Sequence, residues 1–279
     1  MRTIKAGDVR DAVSRAAIDA NLRLRPDIKK AIKAAMRREP GRRAKNILAV
    51  LLENAEIAAR EKRPLCQDTG LPVVYAELGE NARVEGGIYA AVKKGIEDGY
   101  CKGRFRKSVV AEPVSRKGRP SYGPPVVHLL QLKGSSLRIT VAPKGFGSEN
   151  KSRIKMLNPT ASEDDIKRFV VDTVKSAGPD ACPPYIIGVG IGGTFEEAAA
   201  LSKKALLRPL GKQHPKPGVK KMERGLMEAV NRLGVGPAGL GGRTTCLGVN
   251  ILTAPTHIAG LPVAVNVSCH ATRSKTVTV

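Results

Sequence analysis

Residues 185–207 read YIIGVGIGGTFEEAAALSKKALL. An aliphatic run gives way to glycines and then to strong helix formers. This order predicts a strand over 185–189, a glycine-rich turn and a helix from 195 to about 207. Gly188, Gly190 and Gly193 also satisfy G-x-G-x-x-G between a strand and a helix, the local context of a dinucleotide fold. The acidic residue that such a fold carries about 20 residues further on is missing. Lys212-Gln213-His214 stand there instead. No repeated βαβ pattern precedes the stretch, and a lone glycine fingerprint is a weak signal. The alternative is a tight strand-to-helix turn whose N–H groups face an anionic ligand.

Outward from this unit, helices and strands alternate in both directions. Downstream come a helix over 220–233, a glycine-rich stretch over 234–242, strands over 248–253 and 261–267, and the tail CHATRSKTVTV. Upstream, Ser162 caps a helix that opens with Glu163, Asp164 and Asp165 and runs to about 177. Strands over 126–132 and 137–141 are separated by Lys133-Gly134, a hairpin signal. A strand over 73–78 and a helix over 84–99 come earlier. The first 60 residues are helical. Val9, Val13, Ala16, Ala17 and Ala20 share one face after Asp8, a candidate N-cap. Pro26 opens a second helix, and a third runs over 44–61. The class is therefore α/β (mixed α+β). An N-terminal helical segment over about 1–62 leads a mixed portion over about 63–279 with sheets flanked by helices, all within one domain.

The chain has 279 residues, enough to bury a core without disulfide or metal staples. Its longest aliphatic run is residues 47–52, far short of the ~20 residues of a membrane helix. The N-terminus has no apolar signal region, and Asp8, Asp11 and Asp19 speak against a transit peptide. A cytoplasmic protein is expected. Net charge is +23, concentrated in blocks: +9 over 1–65, +11 over 101–155 and +7 over 202–224. Such blocks expect an anionic partner. Aromatic residues make only 3% with no Trp, and no helix-turn-helix, RRM or KH pattern appears. Single-stranded nucleic acids need stacking platforms, so a nucleic-acid role is disfavoured.

Five cysteines are scattered without a C-x-x-C, which argues against a disulfide framework or zinc knuckle. They are buried small hydrophobes or ligands gathered by the fold. Cys66 lies in CQDTG (66–70), where it is a possible metal ligand or nucleophile beside Gln67 and Asp68. A capped turn explains the same residues. APKGFGSENKS (142–152) is a possible cradle of backbone N–H groups or a surface loop. Cys182 precedes two prolines and the strand at 185. Near the C-terminus, His257, Cys269, His270 and Arg273 flank the strand over 261–267, and strand ends are where sites gather in α/β folds. The basic segment 102–107 reads first as a solvated loop.

In order, CQDTG, RFRKS (104–108), PKGFGSEN (143–150), Cys182-Pro before YIIGVGIGGT, and H-x(11)-C-H (257–270) resemble one family. It is the alpha-type catalytic half of the class I iron–sulfur fumarate hydratases and L-tartrate dehydratases. The resemblance runs from about residue 10 to the C-terminus. It implies a [4Fe–4S] cluster held by three cysteines, with one iron open as a Lewis acid. The matching positions are Cys66, Cys182 and Cys269, whereas Cys101 and Cys246 lie outside the motifs. It further implies substrate contacts from Gln67 and Asp68, a carboxylate clamp from Arg106, and a hydrogen bond from His257. Lys144, Gly145 and Gly147 would line the pocket. Phe146 departs from a glycine common at its position.

The implied reaction is reversible hydration of fumarate to L-malate, a step of the tricarboxylic acid cycle. L-tartrate dehydration is the alternative within the family. Single-chain members carry a second domain that completes the site and supplies the base. The resemblance therefore implies a hydro-lyase alpha subunit that needs a beta subunit, expected as alpha2beta2. A nicotinamide dehydrogenase would leave CQDTG and CHATR unexplained. A basic nucleic-acid binder would leave the cysteine motifs unexplained.

Overall fold

A computed structural model describes residues 1–279. In chain order the elements are β1 (Arg2–Ile4), α1 (Ala6–Leu22), α2 (Pro26–Arg38), α3 (Arg42–Glu61), β2 (Leu71–Gly79), β3 (Ala82–Val84), α4 (Ile88–Lys102), β4 (Val126–Leu132), β5 (Leu137–Lys144), α5 (Phe146–Glu149), β6 (Arg153–Leu157), α6 (Glu163–Ala177), β7 (Tyr185–Gly193), α7 (Phe195–Ala205), α8 (Pro217–Asn231), β8 (Cys246–Thr256), β9 (Leu261–Ser268) and β10 (Lys275–Thr278). The mixed α/β class holds. No helix is long and apolar enough to cross a membrane. The chain divides into two compact units. One comprises Met1–Arg25, Ala55–Phe146 and Arg273–Val279, and the other Pro26–Asn54 and Gly147–Thr272.

The first unit is built on a sheet of order β10-β5-β2-β4. β2 is central and largely buried. Val74 and Ala76 of β2 and Leu137, Ile139 and Val141 of β5 pack against Val9, Val13 and Ala17 of α1 and Val92, Ile96 and Tyr100 of α4. The two helices approach closely because Gly95 and Gly99 face α1. A Cβ at either would come within 2.8 Å of the Arg10 or Ser14 carbonyl oxygen. α1 starts at Ala6 after Lys5, which makes no side-chain cap. Asp8 therefore sits in its first turn, where a carboxylate favours the helix dipole, and does not cap it.

Lys133-Gly134 does not close a hairpin. β4 pairs in parallel with β2, and β5 pairs antiparallel with the other edge of β2. The connection over 133–136 arches across the end of β2. Gly79 N donates to Ser136 O (2.9 Å) and Asn81 N to Gly134 O (2.9 Å). A Cβ on Gly79 would lie 2.4 Å from Gly134 O, so only glycine lets the arch pass. The turn chemistry is local, but strand order is decided by the apolar β2, which both neighbours bury.

The second unit carries a sheet of order β6-β9-β7-β8, with β7 and β8 parallel and the other pairs antiparallel. The chain between β7 and β8 holds α7 and α8, a crossover connection. Alternate residues of β7 serve opposite faces. Tyr185, Ile187 and Val189 join Ile166, Val170 and Val174 of α6 and Leu226 and Val230 of α8 in one core. Gly188 and Gly190 face α7, where an added Cβ would lie 2.0 Å from Ser202 O and 2.1 Å from Ala198 O. The glycine fingerprint therefore lies inside a buried strand. Its glycines let a helix pack at backbone distance, and neither a phosphate-binding turn nor an N–H cradle at 188–190 is formed. α6 begins with a full capping box: Ser162 Oγ accepts from Asp165 N (3.2 Å), and Asp165 accepts from Ser162 N (2.9 Å). Hydrogen bonds from Ser162 hold the Asp165 carboxyl below the usual carboxylate range.

Candidate active site

In the first unit the CQDTG loop meets two other motif segments, PKGFG at Asp68 and RFRKS at Thr69. CQDTG joins α3 to β2, and its half-buried Asp68 accepts two main-chain N–H groups. Oδ1 takes Gly70 N–H (2.9 Å), and Oδ2 takes Phe146 N–H (2.7 Å). The carboxylate is thus fixed in rotation and tied to the start of the PKGFGSEN segment. Gly70 has φ +76° and sits on the backbone of Lys144, with an ideal Cβ 2.9 Å from Lys144 N. Both the conformation and the contact require glycine. Gly145 also gives room: a Cβ there would lie 3.2 Å from Asp68 Oδ2. Thr69 Oγ1 donates to Arg106 O (3.3 Å), which brings the basic RFRKS loop alongside.

The supporting groups are buried. Tyr100 OH donates to Thr69 O (3.0 Å) and is also 3.2 Å from Gly70 O. Burial pushes its hydroxyl well above the ordinary tyrosine range, with the Arg273 charge opposing. Arg273 is 4% exposed and Asn21 fully buried. Arg273 Nη2 donates to Asp68 O (2.9 Å) and Nη1 to Asn21 Oδ1 (3.1 Å). Arg273 Nε has no hydrogen-bond partner.

The first unit therefore gathers Asp68, Lys144, Gly145 and the Arg106 main chain. Lys144 is buried, while the Gln67 and Arg106 side chains are exposed. Cys66 is half-buried, and its thiol donates to Gln67 Oε1 (3.4 Å). Asn21 and Tyr100 are not among the sequence candidates, and Arg273 is among them only as a residue of the C-terminal group, with no role. The signal for Arg273 was its place four residues after Cys269, in a tail already singled out. Asn21 and Tyr100 give no sequence signal, because each is an ordinary helix residue until the loop packs on it.

In the second unit Cys182 and Cys269 share one end of the sheet. Cys182 lies just before β7 and Cys269 just after β9, which pairs antiparallel with β7. His270 closes this end, with N and Nδ1 at 3.4 and 3.1 Å from Cys182 O. Cys182 is exposed, Cys269 is half-buried, and Cys182 adopts φ +55°. The Tyr185 hydroxyl is pushed up to about 12, chiefly by burial and to a smaller extent by the nearby Cys182, Asp180 and Cys269. His257 is exposed at the other end of the sheet, after β8. The eight residues of β9 separate it from Cys269 by roughly 25 Å of strand, so the second unit does not bring His257 to its cysteine pair. Gly147 is exposed, and an added Cβ there meets nothing within 4 Å.

The remaining cysteines differ in kind. Cys246 is buried and donates to Gly248 O (3.1 Å), and burial pushes its thiol up to about 12. Such a group stays protonated and is a poor ligand. Cys101 is exposed on α4. Nowhere do three His, Cys, Asp or Glu side chains stand together as ligands for a single metal ion. A four-iron cluster makes a different demand, since each thiolate takes its own iron. The accessible thiols of Cys66, Cys182 and Cys269 have the right donor chemistry for it.

Residues 10–278 match the family described as fumarate hydratase (fumerase). A protein of Methanocaldococcus jannaschii, provisionally named L(+)-tartrate dehydratase subunit alpha, is 37% identical over 262 residues, covering 91% of this chain and 92% of its own. The L(+)-tartrate dehydratase subunits alpha of Escherichia coli strains UTI89 and K12 are 33% and 32% identical over 260 residues. Each match covers 92% of this chain and 86% of the relative. The chain belongs to the fumarate hydratase family of hydro-lyases.

Proposed function

We propose that the chain is the alpha-type catalytic subunit of an iron–sulfur hydro-lyase that interconverts fumarate and L-malate. The observation that supports this best is the packing of RFRKS and PKGFG onto the CQDTG loop, RFRKS through Thr69 and PKGFG through Asp68, whose carboxylate oxygens are both held by main-chain N–H groups. Cys66, Cys182 and Cys269 are the proposed ligands of a [4Fe–4S] cluster. When bound, that cluster supplies an open iron as a Lewis acid for hydroxyl loss or gain. The chain's own residues bind and orient. Arg106 offers a planar fork to a substrate carboxylate. Gln67 offers an amide, and Asp68 a fixed acceptor. The base comes from a beta-type partner subunit, in an assembly expected as alpha2beta2. The reading places the reaction in the tricarboxylic acid cycle and the cytoplasm, with residues 1–279 acting as one catalytic domain.

L-tartrate dehydration to oxaloacetate is the second reading, favoured by the names of the relatives. The test is to co-produce the chain with its beta-type partner without air and to assay both substrates. Turnover of fumarate is expected, with none from the chain alone. Preference for L-tartrate would select the second reading. An iron-loaded, partner-complete protein that acts on neither would overturn both.

A further inference from the structure

The second unit holds a cavity of about 640 Å³ that the hydro-lyase reading does not use. The end of α2, the loop over 210–213, the first turns of α8 and the start of β8 line it, and it opens to solvent. Its size falls within the ~300–1,000 Å³ of small-molecule sites. Arg38, Lys212, Lys220, Lys221 and Arg224 line it, and all five are exposed. None of them forms an ion pair. The only acid in the lining, Glu223, is buried and committed to Arg208 and to Ile251 N–H (2.7 Å). The first turn of α8 carries no acidic residue either. Five like charges at one cavity repel one another and focus a positive field into it. Nothing in the chain neutralises them, and a bound anion does. The floor is different in character, with Leu210, Met227 and Val249 offering apolar surface.

We propose that this cavity binds a small organic polyanion of the nucleotide class, with its phosphates on the cationic rim and its apolar part over the floor. The lining contains no aromatic side chain, so the stacking platform of a single-stranded nucleic-acid site is missing. The cavity takes four of the eight basic residues of the block over 202–224: Lys212, Lys220, Lys221 and Arg224.

The test is calorimetric titration of the full chain, alone and with its beta-type partner, at near-physiological salt. The probes are ATP without divalent cation and inorganic tripolyphosphate. One saturable ATP site per chain is expected, persisting in the complex, with tripolyphosphate binding more weakly. Lys221→Gln with Arg224→Gln should weaken ATP about tenfold or more. Arg116→Gln with Lys117→Gln, in a separate basic loop, should leave it unchanged. Equal losses in both double variants, or binding without saturation, would show a diffuse basic surface and overturn the proposal. Equal affinity for tripolyphosphate would overturn the nucleotide class. Loss of the site in the complex would show that the partner covers it and would also overturn the proposal. Hydration activity is not read in this experiment, so its failure and that of the hydro-lyase reading remain distinct.

Discussion

Arg273 Nη2 donates to the main-chain oxygen of Asp68 at 2.9 Å across 205 residues of sequence. The guanidinium is almost wholly buried, takes Asn21 Oδ1 as its second acceptor and has no carboxylate partner. Buried charge is costly unless hydrogen-bonded. Here the hydrogen bonds fasten the C-terminal segment to the CQDTG loop and fix the backbone from which the Asp68 carboxylate projects.

Arg273→Gln should therefore destabilise the protein by about 2–4 kcal/mol, since two buried acceptors each lose a donor. Arg273→Lys, which keeps the charge but not the fork, should fall between. Urea unfolding midpoints measure this. A shift within ordinary surface-substitution scatter would show that the loop holds without the arginine.

Arg106 and Arg104 are separated by one residue but are not equivalent. The Arg106 carbonyl accepts from Thr69 Oγ1 (3.3 Å), which roots that side chain beside CQDTG. Arg106→Lys should lower kcat/KM of the partner-complete enzyme by one to two powers of ten, about 1.4–2.8 kcal/mol. Arg104→Lys should change it little. Equal small effects would mark the loop as a solvated basic surface.

The cysteines should sort by environment. Cys66→Ser, Cys182→Ser and Cys269→Ser should each remove iron–sulfur absorbance from anaerobically purified protein, while Cys101→Ser and Cys246→Ser keep it. In the native apo-protein, iodoacetamide should label Cys101 and Cys182 and spare Cys246 until unfolding, because burial holds that thiol protonated. Mass spectrometry of labelled peptides reads the order. Early labelling of Cys246 would contradict its packing.

Gly190→Ala should cost about 3 kcal/mol or more, because its Cβ would overlap Ala198 O at 2.1 Å and force α7 off the sheet. Fluorescence titration with NADH should give the same result in both proteins, because Gly190 lies outside the basic cavity. Saturable NADH binding that the substitution abolishes would restore a nucleotide role for these glycines.

Legibility followed the range of the interactions. The start of α2 at Pro26 and the capping box of Ser162 were readable because their determinants lie within a few residues. β1, β6 and β10 were not predicted. Each is short and mixes apolar with charged or hydroxyl residues, and each pairs with a strand distant in sequence, as β10 does with β5. The expected turn after residue 189 is instead the continuation of β7, because the reason for its glycines lies in Ala198 and Ser202, on the helix that presses against them. The site divided in the same way. The motif order pointed to Asp68 and Lys144, whereas the buried supports Asn21 and Tyr100 acquire meaning only when the loop is folded onto them. His257 shows the limit of spacing: twelve residues before Cys269 is one whole strand away.

The arch over Gly79 has a consequence for how the chain is made. Segments 126–132 and 137–144 are neighbours in sequence and could pair within microseconds as a simple hairpin. That pairing would occupy the place of β2 and would have to dissolve before the sheet closed. Synthesis from the N-terminus removes the conflict, because β2 leaves the ribosome some 50 residues ahead and is available as a template when β4 and β5 emerge. The protein should thus reach its native form more cleanly during translation than from denaturant, where all three segments compete at once.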